Sequence, residues 1–204
     1  MMKKTLITTM MISGVVLGLG TMNKVSAADA TTADTTASAT FVAGEDPSLP
    51  GSGPLAITNV TSGVDFGSSA VSATDSTLQS SSDINVSVSD LRGTFAGWNV
   101  SVSGTPLMSD GATPTELKGA TLALPDGTIT AAATGTDATK MTAAASANVL
   151  GGGSAQINAP VDNGTGAITT NYKQTDIALH VIGGTARVAK YSTTLTWTLT
   201  DAPA

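Results

Sequence analysis

The chain has 204 residues, of which 41% are apolar, 12% charged and 3% aromatic, with 22 Gly, 8 Pro and no Cys. This length fits one domain, and the Gly and Pro contents lie far below those of collagen-like or low-complexity chains. The absence of cysteine excludes disulfide scaffolds, thiolate metal sites and cysteine nucleophiles.

The first 27 residues have the pattern of a secretory signal peptide. Lys3 and Lys4 form a basic start, an apolar stretch runs from Leu6 to Leu19, and residues 25–27 end in the small side chains that signal peptidase accepts. The stretch is shorter than the roughly 20 apolar residues that a membrane-spanning helix needs. We therefore predict cleavage after Ala27 and no membrane insertion of the mature chain.

Cleavage makes the chain more acidic. Three of the nine basic residues are removed and none of the fifteen acidic ones, so six positive and fifteen negative side chains leave a net charge of −9. Proteins that bind nucleic acid present a basic face to the phosphates. The charge balance therefore predicts that nucleic acid is not a partner.

The segment from Ala28 to Gly53 contains mostly small and polar residues. Such a composition buries too little apolar surface to offset the entropy that ordering costs. We predict that residues 28–53 form a flexible leader, with one strand near Ala39 to Val42. Residues 54–204 are predicted to form the folded domain.

Beyond the leader, short runs alternate apolar with polar residues, which indicates half-buried β-strands. The apolar positions are Ile84, Val86 and Val88; Trp98, Val100 and Val102; Ile177, Leu179 and Val181; and Leu195, Trp197 and Leu199. Turn-forming pairs separate the runs, namely Asp110-Gly111, Asp126-Gly127, Asn163-Gly164 and Gly183-Gly184. This pattern predicts an all-β, antiparallel sandwich or barrel-like domain. Residues 135–153 are expected to form a long surface loop with one helical turn.

Two of these runs belong to longer tryptophan segments. The first reads D-L-R-G-T-F-A-G-W-N-V over residues 90–100, and the second reads Y-S-T-T-L-T-W-T-L-T-D-A-P over residues 191–203. Together they resemble the paired motifs of the WxL domain, which occurs in surface proteins of Gram-positive bacteria. Residues 57–60 and the turn at 64–67 are similar to the opening strand and D-F-G turn of that family. Val100 stands where the family has Leu, which keeps a branched apolar residue on the same strand face.

The resemblance implies a secreted protein attached to the Gram-positive cell wall without a covalent link. The implied partners are peptidoglycan and a membrane-anchored WxL-interacting protein, in surface complexes linked to adhesion, stress tolerance or use of complex polysaccharides. Because such walls carry anionic polymers, the acidic charge opposes contact at long range, and attachment is expected to rest on short-range burial and hydrogen bonding. The alternative is a glycan-binding module for host or plant polysaccharide.

The motifs supply the candidate site residues, each of which also has a structural interpretation. Alternation places both tryptophans on apolar strand faces, where a sandwich buries large side chains, whereas exposed tryptophans are favoured in binding surfaces. Asp90 and Arg92 lie two apart and would point the same way on a strand, so they are expected to form a structural ion pair rather than to recognise a ligand. The six candidates are Trp98, Val100, Trp197, Leu199, Asp90 and Arg92.

Residues suited to catalysis are sparse. His180 is the only histidine, so metal sites that need two imidazoles are excluded, and no Gly-x-Ser-x-Gly elbow accompanies it. The carboxylates are scattered singly, mostly in turns such as those at Asp110, Asp126 and Asp162. A glycosidase needs only two carboxylates from distant loops, so that alternative stays open. We predict no enzymatic activity, no metal and no cofactor.

Overall fold

The computed structural model describes residues 35–47, 49 and 52–202. The predicted signal peptide and residues 28–34 of the leader therefore lie outside the described residues. Residues 35–46 have no regular secondary structure. The strand predicted near Ala39 to Val42 is wrong, because no described strand pairs with this segment and the side chains of Phe41 and Val42 are 93% and 87% exposed.

Four strands from separate parts of the chain form the first sheet of the unit that begins at Thr40. In spatial order they are β1 (Leu55–Val60), β3 (Ile84–Asp90), β10 (Gly166–Tyr172) and β7 (Thr128–Ala131), with antiparallel neighbours throughout. The alternation predicted for β3 is confirmed, since Ile84, Val86 and Val88 are all buried. Residues two apart point to the same face, so these side chains form a continuous apolar row.

The second sheet contains both tryptophan segments. Its spatial order is β13 (Leu195–Thr200), β4 (Trp98–Gly104), β9 (Ala155–Ala159) and β8 (Thr142–Ala143), again antiparallel. The predicted alternation is confirmed in β4, where Trp98, Val100 and Val102 are fully buried. It also holds in β13, but there the apolar side chains are only half-buried, and β13 is an edge strand of its sheet.

Two smaller antiparallel sheets complete residues 52–202. One has the order β2 (Ser76–Gln79), β11 (Ala178–Val181), β6 (Thr121–Ala123), and the other joins β12 (Tyr191–Ser192) to β5 (Met108–Ser109). None of the four sheets in this part of the chain closes on itself. The all-β, antiparallel prediction is confirmed, with open sheets rather than a closed barrel.

The two four-stranded sheets share one apolar core. The ring of Tyr172 on β10 lies 6.2 Å from the ring of Trp197 on β13, and this contact joins the two sheets. Val86 and Val100 belong to the same buried cluster. Burial raises the pKa of Tyr172 to about 12, because desolvation disfavours the charged phenolate. In a chain without cysteine, burial of this apolar surface is the main source of stability.

One edge of the sandwich is closed by residues 135–153. The Gly127 amide donates a hydrogen bond of 2.7 Å to the Ala143 carbonyl oxygen, which connects the start of β7 to β8. The predicted helical turn is confirmed as a 3-10 turn at Ala138–Lys140. The prediction of a surface loop is wrong for the rest of the segment, because β8 pairs with β9 and four apolar side chains reach the core, namely Met141, Ala143, Val149 and Leu150.

A buried asparagine holds this closing segment in place. The Asn163 side chain accepts a hydrogen bond from the Asp137 amide at 2.9 Å and donates one to the Asp137 carbonyl oxygen at 2.8 Å. Only 2% of Asn163 is exposed, so its polar atoms are satisfied inside the protein. The Asn163-Gly164 pair, predicted as a turn from its residue types, therefore also anchors the 3-10 turn.

The acid dependence of stability is expected to involve Asp83, which precedes β3. Its carboxylate accepts hydrogen bonds from the Gln174 amide at 2.9 Å, from Asn171 at 3.0 Å and from Lys173 at 3.1 Å. These bonds, with that of the Gln174 amide the largest cause, lower the pKa of Asp83 from 3.8 to about 2. A carboxylate whose pKa is lower in the folded state stabilises the fold above its unfolded pKa, and this contribution is lost as the pH falls through the folded pKa.

We therefore expect the destabilisation caused by Asp83→Asn to be largest near neutral pH and to shrink between pH 4 and pH 2. Urea unfolding of the parent and the variant across this pH range measures the difference. Asp110→Asn, at an exposed turn carboxylate, is the matched control. A stability difference that does not change with pH would contradict the assignment.

Candidate functional site

The two tryptophan segments form neighbouring strands. β13 pairs with β4 in antiparallel register, with Trp197 opposite Val102 and Leu199 opposite Val100. Residues that are almost a hundred positions apart in the sequence therefore lie side by side in one sheet. The paired motifs of the sequence are one continuous piece of structure.

Trp98 belongs to the core and offers no surface to a ligand. Its side chain is fully buried, and its indole Nε1 donates a hydrogen bond of 2.8 Å to the Gly164 carbonyl oxygen. Gly164 has a φ of +78°, and a Cβ at this position would lie 2.8 Å from Nε1 of Trp98. The glycine is thus required both by its backbone conformation and by the closeness of the indole. Val100 is equally buried, so for both residues the structure favours the structural interpretation.

Asp90, Arg92 and Asp201 form what we call the arginine clamp. Arg92 donates to Asp90 from Nε at 2.9 Å and from Nη2 at 2.7 Å, while Nη1 donates to Asp201. Nη2 also donates to the Gly97 carbonyl oxygen at 2.8 Å. Hydrogen bonding to Asp90 raises the pKa of Arg92 above its ordinary value. The clamp therefore joins the start of the first motif to the end of the second.

The ion pair expected between Asp90 and Arg92 is confirmed, but its geometry differs from the prediction. β3 ends at Asp90, so Arg92 does not share a strand face with it and instead folds back, with its own amide donating to the Asp90 carboxylate at 3.1 Å. Asp90 is only 2% exposed, whereas the Asp201 side chain is 67% exposed. Sequence analysis did not identify Asp201 as a partner of Arg92, although Asp201 belongs to the D-A-P ending of the second motif.

Trp197 and Leu199 are only half-buried, unlike the fully buried apolar side chains of the first motif. Among the described strands, β13 has a hydrogen-bonded neighbour on one side only, as has β1 in the other large sheet. Between these two edge strands lies a groove of about 1540 Å³, which we call the edge groove. Apolar side chains that line it include Ile57, Val60, Phe66, Tyr191, Leu195 and Trp197.

The loop of residues 61–75 forms one wall of the edge groove. Gly67, at a φ of +70°, donates its amide to the Asp65 carboxylate at 2.9 Å, which shapes the turn that the sequence indicated at residues 64–67. The wall is tied to the turn after β11 by Gly184, whose amide donates to the Ser72 carbonyl oxygen at 2.8 Å. Val71 on this loop lines the groove and is 51% exposed.

Two basic residues, Arg187 and Lys190, also line the edge groove and are exposed. Neither side chain forms a salt bridge with a described residue. Of the two candidates on β13, Trp197 lines the edge groove and Leu199 does not, and sequence analysis missed Tyr191 as part of the same site. The signal available was the position of Tyr191 at the start of the second motif.

The groups suited to other chemistry lie elsewhere. His180 is exposed on β11, where its Nδ1 forms a hydrogen bond of 2.9 Å with the Thr77 hydroxyl on β2. Within residues 35–47, 49 and 52–202, no three His, Cys, Asp or Glu side chains are grouped so that they could hold a metal ion. The described part of the chain also contains no helix of the length and apolarity needed to cross a membrane.

Comparison with known proteins assigns the family. Residues 28–203 match the family model described as "WxL domain surface cell wall-binding", which spans nearly the whole chain and includes both tryptophan strands and the arginine clamp. No curated protein and no solved structure matches the chain. The buried tryptophan and the clamp give a structural reason for the paired motifs, and the chain belongs to the WxL family of surface cell-wall-binding domains.

Proposed function

We propose that this chain, once secreted and cleaved after Ala27, binds peptidoglycan non-covalently in the edge groove. The observation that carries the proposal is the groove itself, which is open to solvent and exposes parts of Tyr191 and Trp197 on an apolar floor. Aromatic side chains with one accessible side are favoured in binding surfaces. The apolar faces of sugar rings in a glycan strand fit such a floor.

The charge of the domain favours short-range contact over electrostatic attraction. With a net charge of −9 after cleavage, the chain and an anionic wall repel each other at long range. Salt screens such repulsion beyond a Debye length of about 8 Å at physiological ionic strength. Moderate salt is therefore expected to leave wall binding unchanged or to strengthen it.

We further propose that a membrane-anchored WxL-interacting protein docks on the edge strands and that the resulting surface complex serves adhesion. Within the part of the chain that the structure describes, β1 pairs only with β3 and β13 only with β4. Each therefore leaves one row of backbone amides and carbonyl groups available to an added strand. Capture of the secreted form on membranes that carry this partner, but not on membranes that lack it, is the expected result.

We expect Val71→Glu to weaken sedimentation of the secreted form with purified peptidoglycan, because the change places a carboxylate in the wall of the edge groove. Burial of an unpaired charge costs several kcal/mol, so the loss should be at least about tenfold. Val161→Glu is the matched control, since Val161 is 59% exposed and does not line the groove.

Equal binding by the two variants would overturn the placement of the ligand in the edge groove. Elution of the unmodified chain by modest salt would instead identify Arg187 and Lys190 as the main contacts. Binding to soluble plant or host polysaccharide without binding to peptidoglycan would favour the alternative function.

A further inference from the structure

We propose that the edge groove also binds the Phe41–Val42 segment of a second copy of this chain. The inference concerns the groove of the proposed wall binding, but it does not depend on the wall ligand. It predicts that secreted copies associate head to tail when the groove is free.

The first observation is an apolar pair that the fold leaves uncovered. Phe41 and Val42 are 93% and 87% exposed, although they lie just before Gly44, whose amide donates to the Leu91 carbonyl oxygen at 2.9 Å. Both residue types favour strands when a neighbouring strand is available. Adjacent large apolar side chains held in solvent are typical of an interaction site.

The second observation is an apolar groove beside two edge strands. The edge groove has an apolar floor and lies between β1 and β13, each of which has one unpaired backbone edge. An extended segment can add to such an edge through main-chain hydrogen bonds while alternate side chains enter the groove. Phe41 is well suited to the floor formed by Trp197 and Leu195.

Charge complementarity supports this occupant. Arg187 and Lys190 are exposed at the groove, and neither forms a salt bridge with a described residue. Residues 28–44, which contain the apolar pair, include Asp29 and Asp34 and no basic residue. An acidic segment with an apolar pair near its C-terminal end thus meets an apolar groove with basic residues, which favours this pairing.

A second copy is the occupant because the segment of the same copy stays in solvent, as the exposure of Phe41 shows. The donated segment and the groove are different surfaces, so the contact is heterologous. Repetition of a heterologous contact gives an open chain of copies unless a rotation closes it into a ring.

Association is tested with the secreted form by sedimentation velocity over a concentration series. We expect concentration-dependent species larger than the monomer, and Phe41→Ser with Val42→Ser is expected to weaken association at least about tenfold. Both positions are exposed, so the thermal midpoint should stay unchanged. Val188→Ser is the matched control, because Val188 is 97% exposed and does not line the groove.

The absence of cysteine allows a direct test of the contact. Thr40→Cys and Ser68→Cys place single thiols beside the apolar pair and on the groove wall. After the two variants are mixed, a short bis-maleimide is expected to join the different chains, whereas mixing with Ser154→Cys, at an exposed position outside the groove, should give far less product.

Two outcomes would overturn the inference. One is a monomer at every concentration with no product above the Ser154→Cys control, and the other is linkage within a Thr40→Cys/Ser68→Cys double variant but not between chains. The Phe41→Ser, Val42→Ser variant should keep its binding to peptidoglycan. If wall binding fails while association persists, the proposed function is wrong and this inference stands.

Discussion

Trp98→Ala is expected to lower the free energy of unfolding by about 3–5 kcal/mol, the range for deletion of a large aromatic side chain from a core. Trp98 is fully buried, and its indole also satisfies the Gly164 carbonyl oxygen at 2.8 Å. Truncation leaves a cavity and removes a hydrogen bond from a buried acceptor. Urea unfolding followed by far-UV circular dichroism measures the loss.

Trp98→Phe separates these two contributions. Phe keeps most of the ring and loses the Nε1 donor, so we expect a smaller loss of about 1–3 kcal/mol from the buried carbonyl group left without a partner. Trp197→Ala provides a comparison at a half-buried position of the neighbouring strand. If Trp98→Ala left stability unchanged and abolished wall binding, Trp98 would be a binding residue and its place in the core would be wrong.

Arg92→Leu is expected to cost about 3–5 kcal/mol of stability, because it leaves the Asp90 carboxylate buried without its partner. Asp90 is 2% exposed and receives two hydrogen bonds from the guanidinium group. Asp201→Ala should cost no more than about 1 kcal/mol, since the Asp201 side chain is 67% exposed and its ion pair is screened by water.

A double-mutant cycle tests whether the cost comes from the unpaired charge. The Asp90→Leu, Arg92→Leu double variant is expected to be more stable than Arg92→Leu alone, because removal of both partners leaves no isolated buried carboxylate. Additive losses would show that the two residues do not interact energetically. The same chemical unfolding experiment measures the single variants Asp90→Leu and Arg92→Leu and the double variant.

The strands were predictable because their signal is local. In β3 and β4 the alternation of valines with polar residues determines which side chains face the core, independently of the rest of the sequence. The Asn163-Gly164 and Gly183-Gly184 turns were indicated in the same way, by residue types that accept positive φ. The tryptophan motifs also indicated the family that residues 28–203 match.

The tertiary structure determines how deeply a side chain is buried where the local sequence pattern is the same. Trp98 and Trp197 lie in runs with the same alternation, yet the first is fully buried and the second lines a groove, because β4 has neighbours on both sides and β13 on one. The link from Arg92 to Asp201 spans 109 positions, and no local rule predicts so distant a partner. Likewise, Met141 and Leu150 are buried in a segment whose composition is typical of a loop, because the segment closes one sandwich edge. Periodicity thus determines which faces are apolar, whereas the order of strands in the sheets determines which apolar faces are covered.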